Sequence, residues 1–314
     1  MADDKWIPGL RSDMPVAAAA QKALALRLGV VRDRLPAAVF HVDADVENVH
    51  QLRVGTRRAA AALRIFAGCL PRRLYEKTRK ILRAVRRAAG AARDWDVFLA
   101  MIEPRLSRSR VPERHGMVFL VGYAHGQRDL AQERLTDAYH DHADLFANGI
   151  DKISQSLEKA RDSDKTLRDL AADTLNELLR EFETAAQADL QSYAALHQVR
   201  ILGKQLRYAM EAFESCYTSE LRQKCYPAVV EMQDILGLAN DSHTIVERLT
   251  ALRAHLLAVS PRQWARCQAG IETLMKFHER RLPVQRRKFE KWWRAWLKSG
   301  FTFSARETPR ERST

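Results

Sequence analysis

Proline, glycine and alternating β-branched residues are scarce in this sequence. Its 314 residues include 10 prolines and 13 glycines, and no segment alternates apolar and polar residues between turn signals. A fold rich in strands needs many such segments and the turns that join them. The composition therefore predicts an all-α protein, and 46% hydrophobic residues are enough to form a substantial core.

Cysteine pairs and long apolar runs are also missing. The four cysteines, Cys69, Cys216, Cys225 and Cys267, show no C-x-x-C spacing, so we expect reduced, buried thiols and a cytoplasmic protein. No stretch reaches the roughly 18 apolar residues of a membrane span. The first ten residues lack the apolar region of a secretion signal. We therefore expect no membrane partner.

Familiar catalytic motifs are absent from the sequence as well. It contains no Walker A loop, no H-E-x-x-H pair and no nucleophile elbow. We therefore predict a protein that is not an enzyme, with no catalytic residues, no metal and no cofactor.

Positive charge is abundant and unevenly distributed. The chain has 52 Lys and Arg against 39 Asp and Glu, a formal net charge of +13. Residues 50–93 contain thirteen Lys or Arg and a single acid, Glu76. A solvated surface normally mixes both signs, so this excess favours a polyanionic partner, although charge alone does not say which.

A basic segment occurs twice, 147 residues apart. His50-x-x-Arg53-x-x-x-Arg57 returns as His197-x-x-Arg200-x-x-x-Lys204. The same spacing relates four further pairs: Phe66 and Phe213, Cys69 and Cys216, Gly90 and Gly237, and Asp94 and Asp241. This pattern predicts an internal duplication. We assign a leader at 1–14, helical halves at 15–162 and 163–300, and a disordered tail at 301–314.

Apolar periodicity and stop signals predict the helices of each half. In the first half they cover 16–35, 46–70, 72–89, 94–102 and 112–139. In the second half they cover 167–188, 193–217, 221–236, 246–257 and 262–281, with a basic segment at 284–297. Gly90 and Gly237 are predicted to end helices, and Asp94 and Asp241 to cap the next ones rather than to act in catalysis.

Each repeated segment has a basic stripe on one side of its helix. Helical geometry brings Arg53, Arg57 and Arg64 to the side of His50. It likewise brings Arg200, Lys204 and Arg207 to the side of His197. Arginine forks bind pairs of phosphate oxygens. Each histidine is either a further phosphate ligand or a packing residue, and its recurrence favours the ligand role.

With these motifs the chain resembles the CHAD domain family, the conserved-histidine α-helical domain, over residues 12–300. The resemblance implies two antiparallel helical-bundle halves related by a pseudo-twofold axis, and a basic groove that binds inorganic polyphosphate. It also implies localisation at polyphosphate granules. The phosphate-binding residues carried over are His50, Arg53, Arg57, Arg58, Arg64, His197, Arg200, Lys204 and Arg207. Arg83, Arg86 and Arg87 of the third helix are added to them.

Several alternatives remain open at this stage. Gln205 and Glu211 depart from the pattern, so we expect the first half to hold phosphate more strongly than the second. A nucleic-acid-binding protein is less favoured, because the first stripe has no aromatic residue before Phe66. A histidine phosphotransfer protein is the other rival. The tryptophans after residue 291 are expected to dock on the core rather than join the groove. The oligomeric state is not predicted.

Overall fold

The computed structural model describes residues 5–41, 45, 47–159, 165–301 and 303. Within them the chain forms eight long α-helices: α1 Val16–Phe40, α2 Glu47–Ile65, α3 Arg72–Leu106, α4 Val111–Glu158, α5 Leu167–Gln187, α6 Tyr193–Phe213, α7 Tyr226–Val259 and α8 Pro261–Ser299. The all-α prediction is confirmed. In this described part of the chain, no helix has both the length and the apolar character needed to cross a membrane.

Buried positions on α2 and α6 recur every three or four residues. They are Val49, Leu52, Thr56, Ala59 and Leu63 on α2, and Leu196, Val199, Gly203, Leu206 and Met210 on α6. Most of them are followed directly by a residue of the basic stripe. One residue is about 100° of rotation on a helix, so the apolar face turns inward while the basic stripe stays at its edge.

The helices pack in the order expected from their short connections. In the first half α1 packs on α2 and α4, and α3 packs on the same two helices. In the second half α6 packs on α5 and α7, and α7 on α8. The two halves meet mainly where α4 contacts α8 and where α2 contacts α6, and to a smaller extent where α1 contacts α5. A groove between α2 and α6 therefore takes residues from both halves.

The contact between α4 and α8 depends on two glycines. A Cβ atom on Gly116 would lie 2.4 Å from the carbonyl oxygen of Cys267 and 2.8 Å from the Cα of Gly270. A Cβ on Gly270 would lie 2.4 Å from the carbonyl oxygen of Glu113. These distances are too short for any side chain, so both residues must be glycine for the backbones to approach this closely.

Two predicted helix ends are wrong. Helix α3 continues through Gly90, and α7 continues through Gly237. Asp94 and Asp241 therefore lie inside helices and do not cap them. A glycine inside a helix costs only about 1 kcal/mol relative to alanine, which the buried faces of these long helices offset. Left-handed backbone occurs, among the described residues, only at Gly9 and at Gly300, which follows α8.

Three predicted helix ends that lie close to prolines are also wrong. Pro36, Pro104 and Pro283 lie inside α1, α3 and α8. Proline removes one backbone donor, and packing beyond it compensates: Ala38 and Val39 are buried after Pro36. Helix α4 also runs well past residue 139, where the sequence predicts its end.

Residues 5–14 are not a loose leader. Ile7, Leu10 and Met14 are buried in the core. The backbone N–H of Leu167 donates to the carbonyl of Met14 at 2.8 Å, and that of Arg168 donates to Ser12 at 3.0 Å. This N-terminal segment therefore accepts hydrogen bonds from the first backbone N–H groups of α5 in the second half. Residues 1–4 lie outside the described residues.

The C-terminal tryptophans dock on the core, as predicted. Trp292, Trp293 and Trp296 are buried around the ring of Phe182. The indole N–H of Trp292 donates to the carbonyl of Ala228 at 3.0 Å. The predicted tail begins with residues that also pack, because the ring of Phe301 lies 4.9 Å from that of Trp296. Residues 304–314, and the predicted boundary at 162–164, lie outside the described residues.

Two short 3-10 helices match the repeat spacing. They cover Ala67–Cys69 after α2 and Glu214–Cys216 after α6, and they stand 147 residues apart. Phe66 and Phe213, which precede them, are both fully buried. The four cysteines are free thiols, three of them buried. These features agree with a duplication, while the pseudo-twofold relation itself stays a prediction.

Candidate anion-binding groove

A groove lies between α2 and α6, with α3 and α7 on its sides. It consists of adjoining cavities of about 650 Å³ and about 600 Å³. The two cavities share five lining residues: Arg53, Asp94, His197, Arg200 and Arg248. We call the first cavity the basic section and the second the mixed section.

The basic section is lined by cations from four helices. They are Arg53, Arg57 and Arg64 of α2, Arg86 and Arg87 of α3, Arg200 and Lys204 of α6, and Arg248 of α7. Asp94 is the one carboxylate among its described lining residues. Eight cations against one acid give a formal charge of +7, so this section attracts anions strongly.

The mixed section carries both signs of charge. Its lining includes His50, His197 and Arg93 together with three carboxylates, those of Asp94, Asp234 and Asp241. The positive potential therefore falls from the basic section towards the mixed section.

In the described part of the chain, no group of three His, Cys, Asp or Glu side chains is arranged to hold a metal ion.

A third cavity, of about 330 Å³, extends the basic section along α3. It shares Arg64 and Arg86 with the basic section and adds Arg79 and Arg83. We call it the side section. Arg79 is already paired with Glu76 at 2.7 Å, so Arg83 is the new cation that this section offers to a ligand.

The carboxylate of Asp94 contacts arginines from two other helices of the groove. Its Oδ1 lies 3.1 Å from a terminal nitrogen of Arg53, and its Oδ2 lies 3.5 Å from one of Arg248. The guanidinium of Arg248 also lies 4.5 Å from the ring centre of Trp95. The carboxylate thereby connects α2, α3 and α7. This is its structural role, in place of the helix cap that the sequence predicts.

Crowding of like charges perturbs the basic side chains. Burial and then the charge of Arg57 lower the pKa of Arg53 to about 10, although Asp94 opposes the shift. Burial and Arg57 also lower the pKa of Arg200, and the Nε of Arg200 is buried without a hydrogen-bond partner. An anion in the groove would relieve this repulsion and supply an acceptor.

The hydrogen bonds around His197 indicate which ring nitrogen carries the proton. Its Nδ1 lies 3.1 Å from the hydroxyl oxygen of Tyr193, and that hydroxyl donates to Oδ1 of Asn240 at 2.9 Å. The amide nitrogen of Asn240 donates to Asp241 at 3.4 Å, which agrees with this orientation of the amide. Because the hydroxyl proton goes to Asn240, Nδ1 must donate to the hydroxyl, and Nε2 remains for a ligand.

The empty groove lowers the pKa of both histidines. Burial is the main cause that lowers the pKa of His50 and that of His197. Nearby arginines add to the effect: Arg93 and Arg53 act on His50, and Arg200 acts on His197. A bound phosphate would raise both values.

The structure brings ten of the twelve predicted residues into these three sections. They are His50, Arg53, Arg57, Arg64, Arg83, Arg86, Arg87, His197, Arg200 and Lys204. The convergence of both repeats on one groove agrees with the sequence prediction. Whether these residues bind phosphate stays a prediction.

Arg58 and Arg207 do not line the groove. The Nε of Arg58 donates to Glu211 at 2.8 Å, and the other oxygen of this 1% exposed carboxylate accepts from Tyr226 at 2.9 Å. Arg207 lies 4.8 Å from the ring centre of Tyr208, with its Nε buried and unpartnered. One residue along a helix turns a side chain by about 100°, so Arg58 faces away from the groove although Arg57 faces into it.

Glu211 therefore cannot weaken the second half as the sequence suggested. The carboxylate of Glu211 is buried against Arg58 and lies outside the basic section, whereas Gln205 lines that section. One of the two reasons for ranking the first half above the second is removed, and the ranking itself stays a prediction.

Sequence reasoning missed several groove residues. Arg93 and Asn240 stand 147 residues apart and precede the aspartate pair, so the repeat could have indicated them. Arg248 gave no such signal, because its counterpart at the repeat spacing is Met101. Tyr193 contacts His197 without lining the cavities, and the sequence predicts it only as the beginning of a helix.

Comparisons with known proteins identify one matching family and similar solved structures. The sequence profile of the CHAD domain matches residues 20–250. A comparison with curated proteins finds no match. The crystal structure of the CHAD domain from the plant Ricinus communis is similar with a TM-score of 0.78 at 20% identity, over 98% of this chain and 99% of that one. PptA from Streptomyces chartreusis is similar with a TM-score of 0.63 at 18% identity, over 89% and 99%.

At these identities the two structures establish a shared fold and no more. The profile match covers most of the chain, including α2, α3 and α6, which supply most of the basic section. The chain therefore belongs to the CHAD domain family.

Proposed function

We propose that the protein binds inorganic polyphosphate in the groove between α2 and α6, without catalysing its turnover. The observation that carries the proposal is the lining of the basic section, eight cations against one carboxylate. The CHAD resemblance points to the same ligand.

The arginines suit a chain of phosphates. A guanidinium bonds two phosphate oxygens at once, so the arginines of α2, α3 and α6 can hold successive phosphates of one linear chain. Binding several linked phosphates in one groove adds their contributions, because the second contact forms at high effective concentration. Short anions such as orthophosphate would lack this advantage.

The empty groove also favours an anion energetically. Burial and then the charge of Arg57 lower the pKa of Arg53, of Arg200 and of Lys204, and the part due to Arg57 reflects repulsion that a polyanion would cancel. Release of counterions from the polyanion should dominate the affinity, so binding should weaken steeply with salt.

Binding to long chains would recruit the protein to polyphosphate granules. A fluorescent fusion should colocalise with stained granules, and the fusion carrying Arg53→Ala and Arg57→Ala should be diffuse. Equal localisation of both fusions would contradict this part of the proposal.

Isothermal titration with long-chain polyphosphate at several salt concentrations tests binding directly. We expect the Arg53→Ala/Arg57→Ala variant to bind more weakly and to show a salt slope smaller by about two. Arg108→Ala/Arg110→Ala, at exposed positions outside the groove, is the matched control with the same loss of charge. Equal slopes for wild type and the groove variant would contradict the proposal.

Orthophosphate and DNA serve as competitors in the same titration. We expect neither to displace polyphosphate at equal phosphate concentration. Efficient displacement by DNA would instead support a nucleic-acid-binding protein.

A further inference from the structure

Lys204 differs in kind from the cations around it. Of the eight cations that line the described part of the basic section, seven are arginines and Lys204 is the one lysine. Arginine keeps its charge at every physiological pH, whereas a buried lysine readily loses its proton. This position can therefore change its charge while its neighbours cannot.

Charged groups from four helices face Lys204. Arg53 and Arg57 of α2, and Arg200 and Arg207 of its own helix α6, are the cations that act on it most strongly. From α3 the basic section includes Arg86, Arg87 and Asp94, and from α7 it includes Arg248. The one carboxylate in this set is already shared by Arg53 and Arg248. Among the described residues that line this section, no free anion thus compensates a charge on the Lys204 amine.

We infer that the Lys204 amine is neutral in the empty groove and takes up one proton when polyphosphate binds. The inference deepens the proposed function and rests on it. The amine lone pair accepts a proton from the buffer, –NH₂ becomes –NH₃⁺, and the new ammonium pairs with a phosphate oxygen. Polyphosphate binding is thereby coupled to pH through a single side chain.

The electrostatics agree with this role. Burial, followed by the charges of Arg57 and Arg200, lowers the pKa of Lys204 to about 6. A bound polyanion both neutralises those arginines and pairs with the ammonium, so it raises the pKa again. At a pH between the pKa of Lys204 in the empty groove and its pKa in the complex, the free protein lacks the proton and the complex holds it.

The sign of the pH dependence follows from linkage. When the complex holds one proton more than the free protein, affinity falls about tenfold for each unit of rising pH within that window. Below about pH 6 the amine is charged in both the free protein and the complex. Lys204 then no longer contributes to the pH dependence of the affinity.

Isothermal titration at pH 8 in buffers of different ionisation enthalpy counts the protons taken up. We expect wild type to take up about one proton more than Lys204→Arg, which is charged before the ligand arrives. His50 and His197 are present in both proteins, although the charge at position 204 also lowers the pKa of His197. Lys152→Arg, at an exposed position on α4 outside the basic section, is the matched control and should behave as wild type does.

Lys204→Met provides a second variant in case the arginine does not fit. It should bind more weakly than wild type at pH 6 and should lose about one unit from the slope of log Kd against pH between pH 7 and 9. Equal proton uptake by wild type and Lys204→Arg, with polyphosphate still bound, would overturn the inference and leave the proposed function intact. Absence of polyphosphate binding by wild type would overturn both.

Discussion

At the scale of single residues, neighbours in the sequence have opposite roles. Arg57 lines the basic section, while Arg58 neutralises the buried carboxylate of Glu211 between the two halves. The same residue type therefore serves binding at one position and stability at the next, because their directions differ by about 100° around α2.

Substituting each arginine by alanine should separate these roles. Arg57→Ala should weaken polyphosphate binding at least tenfold, and relief of repulsion should keep the free energy of unfolding unchanged or raise it. Arg58→Ala leaves Glu211 buried without its ion-pair partner, so it should reduce the free energy of unfolding by about 3–5 kcal/mol. Urea unfolding and polyphosphate titration of both variants measure this.

The double variant Arg58→Met/Glu211→Leu is the control for the buried pair. It should recover most of the stability lost by Arg58→Ala, since both members of the buried ion pair are removed. A large loss of affinity in Arg58→Ala without loss of stability would contradict the placement of this side chain.

Tyr193 should orient His197. In Tyr193→Phe the Nδ1 hydrogen of His197 loses its acceptor, so we expect a mixture of tautomers in place of Nδ1–H. Imidazole ¹⁵N shifts measure the tautomer directly, and polyphosphate affinity should fall by roughly 2- to 10-fold. Tyr139→Phe, in α4 outside the groove cavities, is the control. An unchanged Nδ1–H tautomer in Tyr193→Phe would show that the hydroxyl does not set it.

At the scale of helices, long elements place distant residues in one site. Because α3 runs unbroken through Gly90, Arg83, Arg86 and Asp94 all lie on a single rigid helix beside α2. A break at Gly90 would have separated the cations from the carboxylate that pairs with Arg53. The continuity of α3 therefore decides the geometry of the groove.

The glycine contact of α4 with α8 should be intolerant of any side chain. In Gly116→Ala the new methyl group meets the Cys267 carbonyl oxygen at 2.4 Å, so the helices must separate. We expect a loss of about 2–3 kcal/mol in the free energy of unfolding, measured in urea.

Gly122→Ala in the same helix is the matched control. A Cβ there has no atom within 4 Å, so alanine should stabilise α4 by about 0.5–1 kcal/mol. Equal effects of the two substitutions would mean that helix propensity, and not the contact with α8, determines the result.

At the scale of the whole molecule, the groove makes the empty protein less stable than its packing would allow. The folded state lowers the pKa of Lys204 to about 6, below the value near 10.4 of an unfolded chain. The unfolded state then binds the extra proton between these values, so the contribution of Lys204 to stability increases as pH rises through that window.

Replacing Lys204 by a residue without an amine should remove this loss of stability. Lys204→Met should be more stable than wild type, and its advantage should be larger at pH 7 than at pH 9 by about 1 kcal/mol or more. Urea unfolding of both proteins at the two pH values, without polyphosphate, measures the difference. An advantage that grows with pH would contradict the sign of the pKa shift.

The sequence by itself determined what depends on local geometry. The helical class, the basic stripe beside the apolar stripe and the buried Phe66 and Phe213 follow from periodicity within one helix. Whether a residue inside a stripe faces a partner or a cavity is decided by the helix packed against it. For this reason the sequence alone does not distinguish Arg57, which lines the groove, from Arg58, which faces away from it.

Only the tertiary structure decided which distant groups meet. It placed Arg248 of α7 on Asp94 of α3, kept α3 and α7 continuous through glycines, and packed residues 5–14 against the start of α5. These outcomes depend on contacts between residues far apart in the chain, whose energies outweigh local propensities of about 1 kcal/mol. The sequence thus supplies the positive charge that attracts an anion, whereas the groove that concentrates this charge exists only in the folded protein.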